Sequence, residues 1–426
     1  MALVPRRLTI RAYGVGFGDC FLLTFDYRDR GAARHVLIDF GSTQKPPHGD
    51  GRLLNAIADD IAAVTGGHLD VLVATHRHSD HINGFATRTQ GRGPGDRIAS
   101  LQPSLVVQPW TEQPDAPARS LAPRGDRDRA LRASLGQMRV VAASAIRESR
   151  HLERPVRQQI RFLGYDGLSN RSAVRNLARL GRNGTAIYAH HGTRLPVRRL
   201  LPGVTVHVLG PPTLRQKADL AQQAATNRDQ FWHFHAFWNL AAATSALSAG
   251  DTCLPGAHTY SPKAIPPEMR WFIRRLKHAR GEQLLQLVRA MDDALNNTSL
   301  ILLIEAGRKR FLFPGDAQWE NWEYALSRNA PLLRNVDLYK VGHHGSLNAT
   351  PKALRNLFAR RGEPGTHGRL TTLVSTCSHS KHGHRATHTE VPRESLIAEL
   401  RRHSTLRSTQ ELEASGTLVL TLPFDL

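Results

Sequence analysis

Residues 75–84 read Thr75-His76-Arg77-His78-Ser79-Asp80-His81-Ile82-Asn83-Gly84. Three imidazoles and a carboxylate fall within six residues, directly after the apolar run Leu69–Thr75, which reads as a short buried strand. Histidine nitrogens and an aspartate oxygen are common ligands of zinc and related divalent ions. A set of unliganded core histidines would need a buried polar partner for each ring. A loose surface histidine tract would not follow an apolar strand and carry an aspartate at one place. The stretch therefore predicts a metal-binding loop at the C-terminal end of a strand.

Working outward, Leu8–Ala12 and Cys20–Phe25 read as strands joined by the glycine-rich turn Gly14–Asp19. That turn is no phosphate loop, because no Gly-Lys-Ser/Thr closes it and no helix follows. Val36–Asp39 is a third strand, and Leu53–Val64 has helical spacing, ended by Gly66-Gly67. The strand–helix–strand order into the histidine loop indicates an α/β layer. Further strands are expected at Val204–Leu209, Ser299–Glu305, Arg310–Phe313, Val336–Val341, Leu370–Ser375 and Thr417–Leu422. Residues 112–199 and 213–290 read as basic, irregular or helical inserts, with helical stretches at Arg129–Glu148 and Ser172–Leu180 and an aromatic-histidine cluster at Phe231–Trp238. Aromatic faces stack on nucleobases, but a helix packing those rings into the core is the commoner use. We read one catalytic domain spanning 1–426, interrupted by the two inserts.

The chain has 426 residues, 40% hydrophobic and 22% charged, which fits a folded globular protein. With 57 Lys+Arg against 36 Asp+Glu, the formal charge is +21. Such an excess favours phosphate-bearing partners, DNA or RNA among them. Arginine dominates the basic set and is dispersed, however, so a compositional bias explains part of it. No run approaches the roughly 18 apolar residues of a membrane-spanning helix, and the N-terminus carries no secretory pattern. Three scattered cysteines do not make a disulfide scaffold. These features predict a cytoplasmic protein without membrane attachment.

The segment His76–His81 resembles the His-x-His-x-Asp-His motif of the metallo-β-lactamase fold superfamily. Gly315-Asp316 after the strand Arg310–Phe313, and Lys340-Val-Gly-His-His-Gly-Ser346, resemble its later motifs, in the expected order. Val15-Gly-Phe-Gly-Asp-Cys20, Asn297-Thr-Ser-Leu300, His343-His-Gly-Ser346 and Ser380-Lys-His-Gly-His384 resemble, within that superfamily, the hydrolase domain of the competence protein ComEC and its free-standing relatives. The likeness covers roughly residues 8–110, 200–212 and 297–400 and leaves the inserts out.

The resemblance implies a four-layer αββα sandwich with two divalent metal ions, zinc or manganese, at one edge. His76 and His78 would hold the first ion; Asp80, His81 and His344 the second; and Asp316 would stand between them. Asp39 would support the site. His343 would face substrate as a hydrogen-bond or proton donor, and Asn297 and Ser346 would contact substrate. The superfamily's third first-site histidine has no obvious equivalent: its place in the order falls near Asn297, with His190, His191, His207, His233 and His235 as alternatives. His382, His384 and His388 would edge the mouth of the site. The implied activity is metal-dependent hydrolysis of a phosphodiester by a metal-activated hydroxide. Two alternatives stay open: hydrolysis of another ester, lactone or amide bond, and nucleic-acid binding around a structural or residual metal site.

Overall fold

The computed structural model describes residues 3–27, 33–47, 49–113, 146–147, 149–154, 156–157, 160, 171–218, 294–346, 350–378 and 390–426. Its architecture is mixed α/β with two mixed sheets. The first sheet contains β1 (Pro5–Tyr13), β2 (Cys20–Tyr27), β3 (Arg34–Phe40), β4 (Val71–Val73), β5 (Leu105–Pro109), β6 (Thr185–Ala189) and β13 (Val419–Asp425), in the order β13-β1-β2-β3-β4-β5-β6. The strands from β13 to β3 pair antiparallel, and those from β3 to β6 pair parallel. The second sheet contains β7 (Val204–Gly210), β8 (Ile301–Ala306), β9 (Lys309–Phe313), β10 (Leu338–Lys340), β11 (Thr371–Val374) and β12 (Thr405–Ser408), in the order β12-β11-β10-β9-β8-β7. β7, β8 and β9 pair antiparallel, and β9 to β12 pair parallel.

The period-two alternation of the central strands decides what packs where. On β2, Phe21, Leu23 and Phe25 enter a core that also holds Leu302, Ile304, Phe311 and Phe313 of the second sheet. Cys20 and Leu22 face the other way, onto the helix Leu53–Val64, which lays down Leu53, Ile57, Ala58, Ile61 and Ala62. β8 does the same in mirror fashion: Ile301 and Leu303 meet Trp322 and Ala325 of the helix Trp319–Leu333. Strands buried on both faces explain why these segments read as continuous apolar runs rather than clean alternations.

Three strands are absent from the sequence reading: β5, β6 and β12. Thr185–Ala189, placed within the first insert, is the edge strand β6 of the first sheet, and the helix Arg171–Asn183 packs beside it through Ala173, Leu177 and Leu180. That helix agrees with the helical stretch expected at Ser172–Leu180, and its arginines lie on the outer side. β12 was also missed, because Thr405–Ser408 is a short, half-exposed strand with one apolar residue. Most of Arg129–Glu148 and all of Phe231–Trp238 lie outside the described residues. Among the described residues no helix is long and apolar enough to cross a membrane.

The sheets position the site through their parallel halves. The carboxyl end of β4 runs into Thr75–Ile82, that of β9 into Gly315-Asp316, and that of β10 into Val341–Ser346. Backbone bonds lock these ends together: Leu300 N donates to Thr75 O (2.9 Å), and Val341 N donates to Leu373 O (2.8 Å).

Candidate metal centre

Asp39 organises the loop after β4. It is the penultimate residue of β3 and adopts a left-handed conformation (φ 56°), an uncommon state for a residue with a side chain. Its Oδ1 accepts Thr75 N at 2.7 Å, and its Oδ2 accepts Thr75 Oγ1 at 2.7 Å and His81 Nδ1 at 2.8 Å. Because the Thr75 hydroxyl donates to Asp39, its oxygen is left to accept from His76 Nδ1, 3.2 Å away. That network assigns the His76 proton to Nδ1 and turns the Nε2 lone pair inward. His76 Nε2 then lies 3.1 Å from His78 Nδ1. Two nitrogens on one tetrahedral zinc ion are about 3.3 Å apart, given bonds of roughly 2.0–2.1 Å.

His78 is extended (φ −60°, ψ 150°) and precedes the short helix Ser79–Ile82, whose turn presents Asp80 and His81. Glycine at 41 is required here, since a Cβ would overlap the backbone of Asp80 and His81. From the second sheet, Gly315 and Asp316 follow β9. His343, His344 and Gly345 run consecutively through left-handed backbone (φ 43°, 51° and 85°). This turn brings His343 N to donate to Asp316 Oδ1 at 3.0 Å, and it buries the His344 ring. Strained non-glycine residues of this kind are characteristic of functional sites.

Asp80, His81, Asp316 and His344 each offer one ligand atom, all within 4.8 Å of one another, and all four are buried. His344 Nε2 is 2.9 Å from Asp80 Oδ2 and 3.9 Å from Asp316 Oδ2, while His81 Nε2 is 3.1 Å from Asp316 Oδ2 and 3.9 Å from Asp80 Oδ1. The far nitrogens are held from behind: His81 Nδ1 donates to Asp39, and His344 Nδ1 donates to Ser375 O at 2.9 Å. Both Nε2 atoms are thereby directed at the carboxylates, as metal-ligating histidines usually are.

The electrostatics have one dominant feature. Asp19, Asp39, Asp80 and Asp316 are at most 3% exposed, and among the described residues Lys340, 1% exposed, is the lysine or arginine buried against them. Lys340 Nζ pairs with Asp19 Oδ2 and lies 3.6 Å from Asp316 Oδ1. Four carboxylates facing one ammonium leave a buried space that draws further positive charge, from protons on His81 and His344 or from bound cations. Burial pulls the Lys340 ammonium toward neutrality, but Asp19 and Asp316 outweigh it and hold the group charged far above the usual range. Burial likewise opposes charge on His81, yet Asp316, Asp80, Asp39 and Asp19 raise it well above an ordinary histidine. His344 is raised by its Asp80 hydrogen bond and by Asp316, against its burial. The first pair behaves oppositely: burial and the neighbouring histidines push His76 well down, and burial chiefly brings His78 down to about 4. Both are neutral imidazoles at pH 7, the form that binds metal.

These residues fit a divalent cation. Asp80 Oδ1 is buried with no hydrogen-bond partner among the described residues, His81 Nε2 faces Asp316 and Asp80, and mixed imidazole and carboxylate donors suit zinc or manganese.

Of the other residues singled out in the sequence, His343 is half-buried beside the cluster, its ring centroid 6.3 Å from that of His344. It is His344 that reaches the carboxylates. Asn297 is 1% exposed, and its Nδ2 donates to Glu320 Oε2 at 2.6 Å. Ser346 follows the left-handed turn, and its Oγ has no hydrogen-bond partner among the described residues. The alternatives for a third first-site ligand have other engagements: His207 pairs with Glu305 (2.8 Å), His191 meets Asn329 (3.1 Å), and His190 contacts His191 O (2.9 Å). His233, His235, His382, His384 and His388 lie outside the described residues.

The sequence reading quoted Asp19 and Lys340 within motifs and gave neither a role. A lysine inside the apolar run Leu338-Tyr339-Lys340-Val341 was the available signal, since a strand buries such a charge only against a partner. The chain matches no protein-family model and no curated protein.

Proposed function

We propose that this chain is a metal-dependent hydrolase of the metallo-β-lactamase fold superfamily, related to the ComEC-like hydrolases and built as a four-layer αββα sandwich. Its reaction is hydrolysis of a phosphodiester, in nucleic acid or in a nucleotide-like molecule. The observation that carries the reading is the buried group Asp80, His81, Asp316 and His344, drawn from three separate strand ends. The neighbouring pair His76 and His78, with ligand nitrogens 3.1 Å apart, supports a second ion beside it.

In this reading His76 and His78 hold one ion; Asp80, His81 and His344 hold the other; and Asp316 lies between. The chemistry that divalent cations supply when bound is Lewis acidity, which makes water nucleophilic near neutral pH and offsets charge on a phosphoryl oxygen. The chain's own residues set the stage. Asp39 and Ser375 O fix the ring orientation of His81 and His344, and His81 together with Lys340 favours the ionised form of Asp316. His343, half-buried and anchored through its backbone to Asp316, is placed to donate a hydrogen bond or proton to the phosphoryl or leaving oxygen. Ser346, one turn away, is a substrate contact. Asn297, the other candidate contact, is buried and held by Glu320. The charge of +21 suits a polyanionic substrate.

Metal content by elemental analysis, with hydrolysis of bis-p-nitrophenyl phosphate, on wild type and Asp316→Ala tests the reading. We expect about two ions per chain and turnover in the wild type, both diminished in the variant. A metal-loaded wild type that cleaves lactones or thioesters but no phosphodiester would retain the hydrolase and remove the substrate class. A metal-loaded protein that turns over nothing and binds nucleic acid would replace the enzyme by a binding protein.

A further inference from the structure

Between the two first-site histidines lies an arginine. In an extended segment His76 and His78 project to one side and Arg77 to the other. The guanidinium is nearly sealed, with its side chain 8% exposed, and it meets Glu112, 5% exposed, on the short helical turn Trp110–Glu112 that follows β5. The pairing is two-pronged: Nε donates to Oε1 at 2.6 Å, and Nη2 contacts Oε2. β4 and β5 are parallel, with Val73 opposite Val107, and their last backbone bond is Ala74 N to Val107 O at 3.0 Å. Arg77 and Glu112 lie in the segments that follow the ends of β4 and β5, so their fork continues the contact between these segments through side chains after the backbone ladder has ended.

We propose that Arg77 is the positioning residue of the His76–His78 pair: its fork onto Glu112 holds the backbone whose opposite side sets the two imidazole nitrogens 3.1 Å apart. This rests on the reading of that pair as ligands of one ion. Its Nη1 is buried and has no hydrogen-bond partner among the described residues, so a diffusing anion does not reach it and the group serves the loop. Arginine suits the task because its planar fork fixes orientation, where a lysine would supply only a point charge. Glu112 is also the first residue of the first insert, so the clamp ties the root of that insert to the metal loop.

The test uses the full chain as wild type, Arg77→Lys, the double variant Arg77→Leu/Glu112→Leu, and a reference, His76→Ala/His78→Ala. Each is stripped with chelator and titrated with Mn2+ or Zn2+ alone by calorimetry, and the metal-free proteins are unfolded in urea. The reference identifies the binding step that belongs to His76 and His78. Replacing both partners by apolar residues leaves no buried charge unpaired, so the double variant should unfold near the wild-type midpoint. Its binding at that step should nevertheless weaken about 10- to 100-fold, as should that of Arg77→Lys, while the step of Asp80, His81, Asp316 and His344 is unchanged. Wild-type affinity in both Arg77 variants would overturn the proposal and leave the metal reading intact. If the double variant fails to fold, Arg77→Lys, which keeps the charge and loses the fork, decides alone. A wild type with no step that the reference abolishes would overturn the ligand reading, and this inference with it.

Discussion

Asp39 shows how much a single side chain carries. Its carboxylate accepts three hydrogen bonds, two from Thr75 and one from His81. Asparagine has the same shape but presents an NH2 where Oδ2 now accepts from two donors, so one or both would be left facing a donor. Asp39→Asn should therefore weaken metal binding about 10- to 100-fold by releasing the His81 ring, with helical content retained. Unchanged affinity in a chelator competition would show that the ring needs no such hold. Cys20 and Cys377 illustrate the same physics in reverse. Burial pushes the Cys20 thiol well up, helped by Asp39 and Asp19, and burial with Glu413 nearby pushes Cys377 up to about 12. A raised thiol is protonated at pH 8, and the thiol form is the unreactive one. In a Cys253→Ala variant, native protein should react with an aromatic disulfide reagent at under about a tenth of the rate seen in denaturant. Fast labelling of the native chain would contradict this burial.

At the scale of elements, the meeting of β3 with the ligand-bearing turn is the most exacting joint. A Cβ at residue 41 would press on the backbone of Asp80 and His81, which cannot rotate away as a side chain would. Gly41→Ala should lower stability by about 1–3 kcal/mol in urea unfolding and lower metal content as well. Wild-type metal content with lowered stability would place the strain elsewhere. This joint also marks the limit of what the sequence makes legible. The ligand loop was readable because imidazoles and a carboxylate cluster after an apolar strand, and β1 to β4 because their runs are apolar and bounded by glycine. That Gly41 touches Asp80 was not readable, because it depends on a contact between segments 39 residues apart in the chain (80 − 41). Lys340, the Asp19 pair and the Arg77–Glu112 fork were hidden for the same reason: each charge looks like a surface residue until its partner arrives from another strand. β6 was hidden by the arginines around it, and these report on an outer face rather than on the buried one.

On the scale of the whole molecule, two opposite charge balances are set against each other. The chain carries +21 overall, while the cluster around Asp316 is buried and negative unless cations or protons fill it. The two should respond to salt differently. Contacts between dispersed arginines and phosphates release counterions, and an affinity built on three such contacts should fall about 40-fold when salt rises from roughly 50 to 200 mM. A buried cluster is screened much less, so divalent-ion binding should change little over the same range. Asp316→Ala separates the two, because it removes a central carboxylate of the cluster without altering the basic surface. The variant should bind a short DNA or RNA duplex with wild-type affinity and salt slope, while the stabilisation given by added Mn2+ or Zn2+ disappears. In the wild type that stabilisation should reach about 2.7 kcal/mol at a hundredfold excess over Kd, read as a rise in Tm of a few degrees. A flat salt dependence would mean that the positive charge is a bias of composition with no part in substrate capture. Loss of duplex binding in the variant would mean instead that the nucleic acid is held mainly at the metal centre.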